Sequence, residues 1–320
     1  MNVLSLFDGH STGYLALKNA GIKIDNYYAS EIDPNPIAIS ENNYPDIIRL
    51  GDVTKIDVSK LPKIDLLIGG SPCQGFSRAG KCLNFNDPRS ALFFEFVRIL
   101  NEIKLVNPDV YFMLENVKMK NEWIEIINKN LGVKGIHINS KLVSAQHRER
   151  VYWTNIPHLT IPGDKCIRLL DILEDVSPEG FIEKDGILFD PTISEASRNL
   201  VTVVDGEVRI KQAVKKGYIV ADNGDGVNLA FPGSTSRRGR VIKGKSSTLD
   251  CVCNLCVYHN GMIRRYTTTE LERLQTLPDG YTEGVSETAR RKAIGNGWTA
   301  EVITHIFKGL TVNKSLEVAI

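Results

Sequence analysis

The stretch IDLLIGGSPCQGFS, residues 64 to 77, begins as an apolar run and leads through two glycines to a cysteine that follows a proline. A continuous apolar run bounded by glycine is typical of a strand that is buried on both faces of a parallel sheet. Ligands of such α/β sheets bind at the carboxyl ends of the strands. Cys73, just past the end of this predicted strand, is therefore a candidate functional residue.

Predicted strands and helices alternate from the amino terminus to about residue 155. The first strand precedes a stretch with Ser11 or Thr12 to begin a helix and Gly21 to end it. Further strands are predicted at YYASE, DIIRLGD and VYFMLEN, and further helices around PIAISENNY and from about Arg89 to Lys104. This alternation predicts an α/β fold with a doubly wound, mainly parallel sheet.

The character of the sequence changes near residue 158. Residues 159–262 contain short strand-like pieces such as LVTVV and GYIV, many glycines and most of the basic clustering. Helices then return, with Thr267 and Glu270 spaced as a capping box in TTTELERLQ and an amphipathic pattern in TAEVITHIFKGL. We therefore predict one domain from residues 1–158 and 263–320, and a smaller, irregular domain from residues 159–262.

The composition is that of an ordinary globular protein, with 320 residues, 42% hydrophobic residues and a net charge of +1. No run approaches the roughly 20 apolar residues of a membrane helix, and the first residues form a predicted strand rather than a signal segment. We expect a cytoplasmic protein that does not engage a membrane. The six cysteines are too few and too unevenly placed for a disulfide framework and are expected to be thiols.

One cysteine cluster raises the question of a metal site. CVCNLCVYH places Cys251, Cys253, Cys256 and His259 at spacings that can bind zinc. The first two cysteines are only one residue apart, which gives a poor tetrahedral arrangement. We therefore expect strand cysteines and no metal.

The positive charge is concentrated in SRRGRVIKGK, residues 236 to 245. Arg237, Arg238, Arg240, Lys243 and Lys245 lie in this run without an acidic residue among them. Such a run forms either a solvated surface or a phosphate-binding patch.

The turn after the first strand, FDGHSTG, indicates a nucleotide-like ligand. Gly9 and Gly13 are separated by three residues, so the G-x-G-x-x-G fingerprint of dinucleotide sites is absent. Glu31 ends the second strand, where an acid hydrogen-bonds ribose hydroxyls, and Asp52 follows the third, where it can accept from an adenine amino group. This order fits an adenosine without a pyrophosphate, and S-adenosylmethionine is such a ligand.

Six ordered motifs now resemble those of the cytosine carbon-5 DNA methyltransferases, especially the compact bacterial and phage enzymes, with features like the vertebrate de novo catalytic domains. They are FDGHSTG, GGSPCQGFS, ENV at 115 to 117, QHRERVYW at 146 to 153, RRYTTTELERLQTLPDGY and IGNGWTAEVI. The resemblance covers both ends of the chain. It implies a Rossmann-like S-adenosylmethionine-dependent methyltransferase fold, with residues 159–262 as the target-recognition domain.

The resemblance also implies a catalytic mechanism that explains the residues chemically. A thiolate that attacks carbon 6 of cytosine turns the ring into an enamine, whose carbon 5 can accept a methyl group. Cys73 is the implied nucleophile, and Glu115 the acid that meets ring nitrogen 3. By the same resemblance Asn116 orients the loop, while Arg148 and Arg150 contact the base and the neighbouring glutamate or phosphate.

The family pattern further assigns the cofactor wall. Phe7 is expected to stack on the adenine, Glu31 to bind the ribose and Asp52 the adenine amine. Two departures stand out, namely His10 within the first glycine-bearing motif and Gly297-Trp298 where the last motif usually has Ser-Val. The other cofactor-binding residues are expected to be Gly9, Gly13, Pro72, Leu92 and Asn296.

A cytosine inside a duplex cannot reach Cys73, so the base must be flipped out of double-stranded DNA. The loop GFSRAGKCLNFNDPRS is suited to close over the pocket, and we expect Gln74, Ser77 and Arg78 to contact DNA there. Residues 159–262, with the basic run, are the candidates for phosphate contacts and major-groove recognition. No obligate protein partner is evident, and a cognate restriction endonuclease is the partner that the resemblance suggests.

Two alternatives remain open. One branch of the family methylates transfer RNA, but its Cys-Phe-Thr signature is absent here. Non-catalytic relatives lose the Pro-Cys or the Glu-Asn pair, and both pairs are intact in this sequence. We therefore predict a DNA (cytosine-5-)-methyltransferase.

Overall fold

A computed structural model describes residues 1–72, 88–252 and 254–311, with the side chains of residues 88–90 left out. Four residues with a predicted role lie outside the described residues, namely Cys73, Gln74, Ser77 and Arg78, as does Cys253. Within the described ranges, no helix is both long and apolar enough to cross a membrane.

The first half of the chain folds into a seven-stranded sheet with helices between the strands. The sheet has the strand order β3-β2-β1-β4-β5-β7-β6, and β7 runs antiparallel to both of its neighbours while the other pairings are parallel. The predicted mainly parallel sheet is thus confirmed. Its elements are β1 (Asn2–Leu6), α1 (Thr12–Asn19), β2 (Asn26–Ser30), α2 (Pro34–Asn43), β3 (Ile48–Arg49), β4 (Leu66–Gly70), α3 (Pro88–Val106), β5 (Tyr111–Val117), α4 (Asn121–Leu131), β6 (Ile136–Asn139) and β7 (Glu149–Thr154).

Strand β4 shows why the sequence is apolar at every position. Leu66, Leu67 and Ile68 are fully buried, and alternation along the strand sends them to opposite faces of the sheet. Leu67 packs in the core that includes Phe93 and Phe96 of α3, whereas Leu66 and Ile68 pack in the core that includes residues of α1. Both faces are therefore covered by helices, as the doubly wound prediction requires.

Residues after β7 form two smaller sheets of short strands. One is the antiparallel sheet β10-β11-β12, which confirms the strands predicted at LVTVV and GYIV, and the other has the order β14-β13-β15-β16-β9-β8. Only the β16–β9 pairing is parallel in these two sheets. The elements are β8 (Ile182–Lys184), β9 (Ile187–Phe189), α5 (Glu195–Arg198), β10 (Val201–Val204), β11 (Glu207–Lys211), β12 (Tyr218–Ala221), β13 (Asp225–Asn228), β14 (Arg240–Ile242), β15 (Cys256–His259) and β16 (Met262–Arg265).

Three helices then return the chain to the first sheet: α6 (Thr268–Leu274), α7 (Glu287–Asn296) and α8 (Ala300–Phe307). The predicted capping box is confirmed, because Thr267 Oγ1 accepts from the Glu270 backbone N–H at 3.1 Å and the Glu270 carboxylate accepts from the Thr267 N–H at 2.9 Å. Val302 and Ile303 of α8 share one core with Leu17 of α1. The predicted domain boundaries stay a prediction.

Candidate active site

A cavity of about 590 Å³ lies at the carboxyl ends of the parallel strands. This volume is within the range of small-molecule sites, about 300 to 1,000 Å³. The loops that follow β1, β2 and β4 contribute to its wall, together with the carboxyl end of β5, β7 and the carboxyl end of α7. Nine of the predicted site residues line it, namely Phe7, Gly9, Glu31, Pro72, Leu92, Glu115, Arg148, Arg150 and Asn296.

Glu31 ties the first two strand ends together. Its carboxylate accepts from the backbone N–H of Gly9 at 3.0 Å, of Ile32 at 2.8 Å and of Asp33 at 2.9 Å. Because a carboxylate offers about four lone-pair sites, one oxygen position stays available to a ligand hydroxyl. Glu31 is therefore both the anchor of these loops and a candidate ligand-binding group.

The loop after β1 has a constrained backbone. Phe7 and Gly9 both adopt the left-handed conformation, with φ of 56° and 57°. Left-handed backbone at a residue with a side chain carries strain and is concentrated at functional sites. Between them, Asp8 has a side chain that is only 1% exposed, and this carboxylate accepts from the Tyr27 hydroxyl at 2.8 Å and from Ser11. Burial raises the pKa of the Asp8 carboxyl.

His10 occupies a buried position in the cavity wall. Burial lowers the pKa of its imidazole to about 4. Nδ1 lies 3.2 Å from Thr12 Oγ1, and Nε2 has no hydrogen-bond partner among the described residues. A Cβ at Gly297 would lie 2.5 Å from that Nε2. The two departures from the family pattern are therefore in contact, because glycine at 297 makes room for histidine at 10.

Two predicted cofactor residues do not line the cavity. Gly13 lies in the first turn of α1, where a Cβ would approach Ile68 Cδ1 to 2.4 Å and the Tyr27 hydroxyl to 2.9 Å. Asp52 caps a short 3₁₀ turn and accepts from the backbone N–H and the hydroxyl of Thr54, each at 2.9 Å. Helix packing and turn capping account for these two residues, and their cofactor roles stay predictions.

Glu115 is held by two donors at the end of β5 and is only 9% exposed. Its Oε1 lies 3.0 Å from Arg150 Nε, and its Oε2 accepts from Trp298 Nε1 at 3.0 Å. The Arg150 contact is the one that the resemblance implied. Sequence reasoning singled out Trp298 as a departure but missed its bond to Glu115, because nothing local to either residue predicts it.

Arg148 and Asn116 hold backbone near the carboxylate. The Arg148 guanidinium donates to the carbonyls of Leu249, Gly295 and Gly297 at 2.9 to 3.1 Å. Asn116 Nδ2 donates to the carbonyl of Ser71 at 3.2 Å and to its hydroxyl at 3.0 Å. Asn116 thereby fixes the segment that leads into Pro72, the residue before Cys73.

The predicted basic run divides into two groups. The Lys245 ammonium is hydrogen-bonded within the protein, because it donates to the carbonyls of Lys141 at 2.8 Å, Ser144 at 2.9 Å and Ile167 at 2.5 Å. Lys243 donates to two carboxylates, Asp222 at 2.7 Å and Asp225 at 2.8 Å. We therefore correct the prediction for Lys245, because protein carbonyls already satisfy its ammonium group. The Lys243 side chain is 56% exposed, and its phosphate contact stays a prediction.

The arginines of the run are placed differently. Arg237 and Arg240 are exposed, and the Arg237 guanidinium lies 4.5 Å from the ring centroid of the exposed Phe231. Arg238 is half-buried, and its Nε has no hydrogen-bond partner among the described residues. Arg237 and Arg240 are thus the members of the run best placed to meet a polyanion.

The structure describes Cys251, Cys256 and His259 of the cysteine cluster. Cys251 is exposed, and its Sγ donates to Asn296 Oδ1 at 2.9 Å. Cys256 is buried in β15, and burial raises the pKa of its thiol to about 12. The described residues hold no group of three potential metal ligands.

The burial of His10 predicts a pH dependence of stability. Since its pKa in the folded state lies below that of an unfolded histidine, the unfolded state binds more protons between about pH 4 and pH 6.5. This contribution to stability is present above pH 6.5 and is lost as the pH falls toward 4. From pH 7 to pH 5, the free energy of unfolding should fall by about 2 kcal/mol more in the wild type than in His10→Gln.

Urea unfolding at a series of pH values measures this difference. His158→Asn is the matched control, because His158 is exposed and asparagine tolerates its left-handed backbone. This control should follow the wild-type pH dependence. Parallel curves for the wild type and His10→Gln would contradict the prediction.

Comparison with known proteins identifies relatives among bacterial and phage methyltransferases. A type II methyltransferase of Lactococcus lactis subsp. cremoris is 31% identical over 285 residues, which cover 86% of this chain and 69% of the relative. An orphan methyltransferase of Bacillus phage rho11s is 35% identical over 180 residues, which cover 52% of this chain. The match spans only 35% of the length of that phage relative.

A structural match and a family-model match agree with these sequence similarities. The solved structure of a methyltransferase of Entamoeba histolytica matches with a TM-score of 0.65 at 16% identity, and the match covers 98% of each chain, which shows a shared fold. Residues 1–311 match the family model described as C-5 cytosine-specific DNA methylase. The chain therefore belongs to this enzyme family, the C-5 cytosine-specific DNA methylases.

Proposed function

We propose that this protein transfers the methyl group of S-adenosylmethionine to carbon 5 of a flipped-out cytosine in duplex DNA. The observation that carries the proposal is the cavity in which Glu115, held by Arg150, shares a wall with Pro72 and with Glu31. Pro72 directly precedes Cys73 in the sequence. One cavity thus brings together a carboxyl group that can act as an acid, the segment that leads to the Cys73 thiol, and a carboxylate that can accept hydrogen bonds from a ribose.

The cavity fits an adenosine ligand at its strand-end side. Glu31 offers the carboxylate for a ribose, and Phe7 and Ile32 offer apolar surface in the same cavity wall, where Ile32 is 73% exposed. A large apolar side chain so exposed is well suited to cover an aromatic ring. When bound, S-adenosylmethionine supplies an electrophilic methyl group on a sulfonium.

Residues of the chain itself would carry out the attack on cytosine and the proton transfer. The Cys73 thiolate forms a bond to carbon 6 of cytosine while Glu115 delivers a proton to ring nitrogen 3, and carbon 5 then accepts the methyl group. Loss of the carbon 5 hydrogen as a proton and breakage of the sulfur–carbon 6 bond return the thiolate, and the proton on ring nitrogen 3 returns to Glu115. Asn116 supports this step by fixing the Ser71 backbone two residues before Cys73.

Cys73→Ser should abolish methylation, because a serine hydroxyl is far less ionised than a thiol at neutral pH. The assay incubates the purified chain with S-adenosylmethionine labelled in its methyl group and either duplex DNA or total RNA. We expect label in the DNA at carbon 5 of cytosine, found by nucleoside mass spectrometry. Cys166→Ser, which alters an exposed cysteine outside the cavity, should keep wild-type activity.

The two acceptors separate the alternatives. Label in RNA alone would favour the transfer RNA branch of the family. Label in neither acceptor would favour a non-catalytic relative. Full activity in Cys73→Ser would overturn the assigned nucleophile while leaving the reaction itself in place.

We further propose that residues 159–262 recognise the DNA target and that the exposed arginines of the basic run contact phosphates. Each neutralised phosphate releases condensed counterions, so affinity falls linearly with salt on logarithmic axes. A partner restriction endonuclease and a cytoplasmic location stay predictions from the sequence.

Arg237→Gln combined with Arg240→Gln should flatten the slope of log affinity against log salt by about two units. Fluorescence anisotropy with a labelled duplex at several salt concentrations measures the slope. Lys23→Gln with Lys63→Gln is the matched control. These exposed lysines precede β2 and β4, so they lie at the amino ends of the strands, whereas the cavity lies at the carboxyl ends. Equal slopes for the arginine variant and the wild type would return the run to a solvated surface.

A further inference from the structure

We propose that Trp298 is a positioning residue that fixes the Glu115 carboxylate in its working orientation. The indole N–H donates to Glu115 Oε2 at 3.0 Å, while Arg150 Nε occupies Oε1 at the same distance. This inference rests on the proposed function, in which Glu115 must present a proton to ring nitrogen 3 of cytosine.

A glycine makes space for the bond between the indole and the carboxylate. A Cβ at Gly70 would lie 2.9 Å from Trp298 Nε1 and 3.0 Å from Glu115 Oε2, so any side chain at this position would separate the pair. The glycine ending β4 is therefore a condition for the Trp298–Glu115 bond.

Hydrogen bonds hold both sequence neighbours of Trp298 in place. The carbonyl of Gly297 accepts from Arg148 at 2.9 Å and from Gln275 Nε2 at 3.1 Å. Thr299 Oγ1 donates to Gln275 Oε1 at 2.9 Å and lies 2.8 Å from Ser140 Oγ. Because these partners are buried, the indole is presented to Glu115 from a rigid support.

A hydrogen-bond donor on each oxygen of the Glu115 carboxylate restricts its rotation more than a single donor does. With Arg150 alone, the carboxylate could rotate about its last bond and still keep one hydrogen bond, since the terminal torsion of glutamate is broad. The indole N–H on the second oxygen sets the plane of the carboxyl group. Trp298 thus acts through Glu115.

Trp298→Phe tests this role, because phenylalanine keeps an aromatic ring at this position and removes the donor, and the same loss of ring volume occurs in the control below. We expect kcat for DNA methylation to fall about tenfold, as the loss of one buried hydrogen bond implies, with the KM for S-adenosylmethionine within about twofold of the wild type. Trp153→Phe is the matched control, because the Trp153 indole donates to Asn128 at 2.7 Å and lies outside the cavity. Its kcat should remain at the wild-type value.

A double-mutant cycle separates positioning from wall filling. If Trp298 acts through Glu115, adding Trp298→Phe to Glu115→Gln should lower the single-turnover rate by less than about twofold. A wild-type kcat in Trp298→Phe, an equal loss in Trp153→Phe, or a raised cofactor KM with an unchanged kcat would each overturn the inference.

Two further results keep the test decisive. Should Trp298→Phe fail to fold, Gly70→Ala answers the same question, because its methyl group intrudes on the bond and should lower kcat without raising the cofactor KM. A wild-type chain without methyltransferase activity would refute the proposed function and this inference together. Activity in the wild type with no effect of the variants would refute the inference alone.

Discussion

The Glu115 carboxyl group is nearly buried, and the arrangement around it supplies the polar partners that this burial requires. Arg150 supplies the opposite charge and Trp298 a second donor. Arg150 is placed by the reversed direction of β7, whose pairing with β5 sets it opposite Val117, on the same face as Glu115. The one antiparallel strand of the first sheet thus provides the counter-charge for the site.

The cavity keeps its form because each strand-end loop is attached to a neighbour by a polar contact. Glu31 holds the loop after β1 through the Gly9 N–H, and Asn116 holds the segment after β4 through Ser71. Arg148 connects the same edge to the backbone at Gly295 and Gly297. The site is therefore assembled from segments that are far apart in sequence, and each attachment is a buried or half-buried side chain bonded to backbone.

The sequence predicted the features that depend on local patterns and on the order of motifs. Apolar runs bounded by glycine located the parallel strands, and the Thr267–Glu270 spacing located the start of α6. It failed where a long-range contact decides the role of a side chain. Lys245 has the same local pattern as its basic neighbours but donates to three carbonyls, and Trp298 meets Glu115 from 183 residues away along the chain.

Covalent trapping tests the central claim, that Cys73 attacks cytosine at the Glu115 cavity, most directly. Duplex DNA in which 5-fluorocytosine replaces cytosine cannot complete the elimination step, because fluorine does not leave as a cation. With S-adenosylmethionine present, the account predicts a protein–DNA adduct that survives denaturation and maps by peptide mass spectrometry to Cys73. An adduct at Cys82, which follows nine residues after Cys73 in the loop GFSRAGKCLNFNDPRS, or no adduct from an enzyme that methylates ordinary DNA, would contradict it.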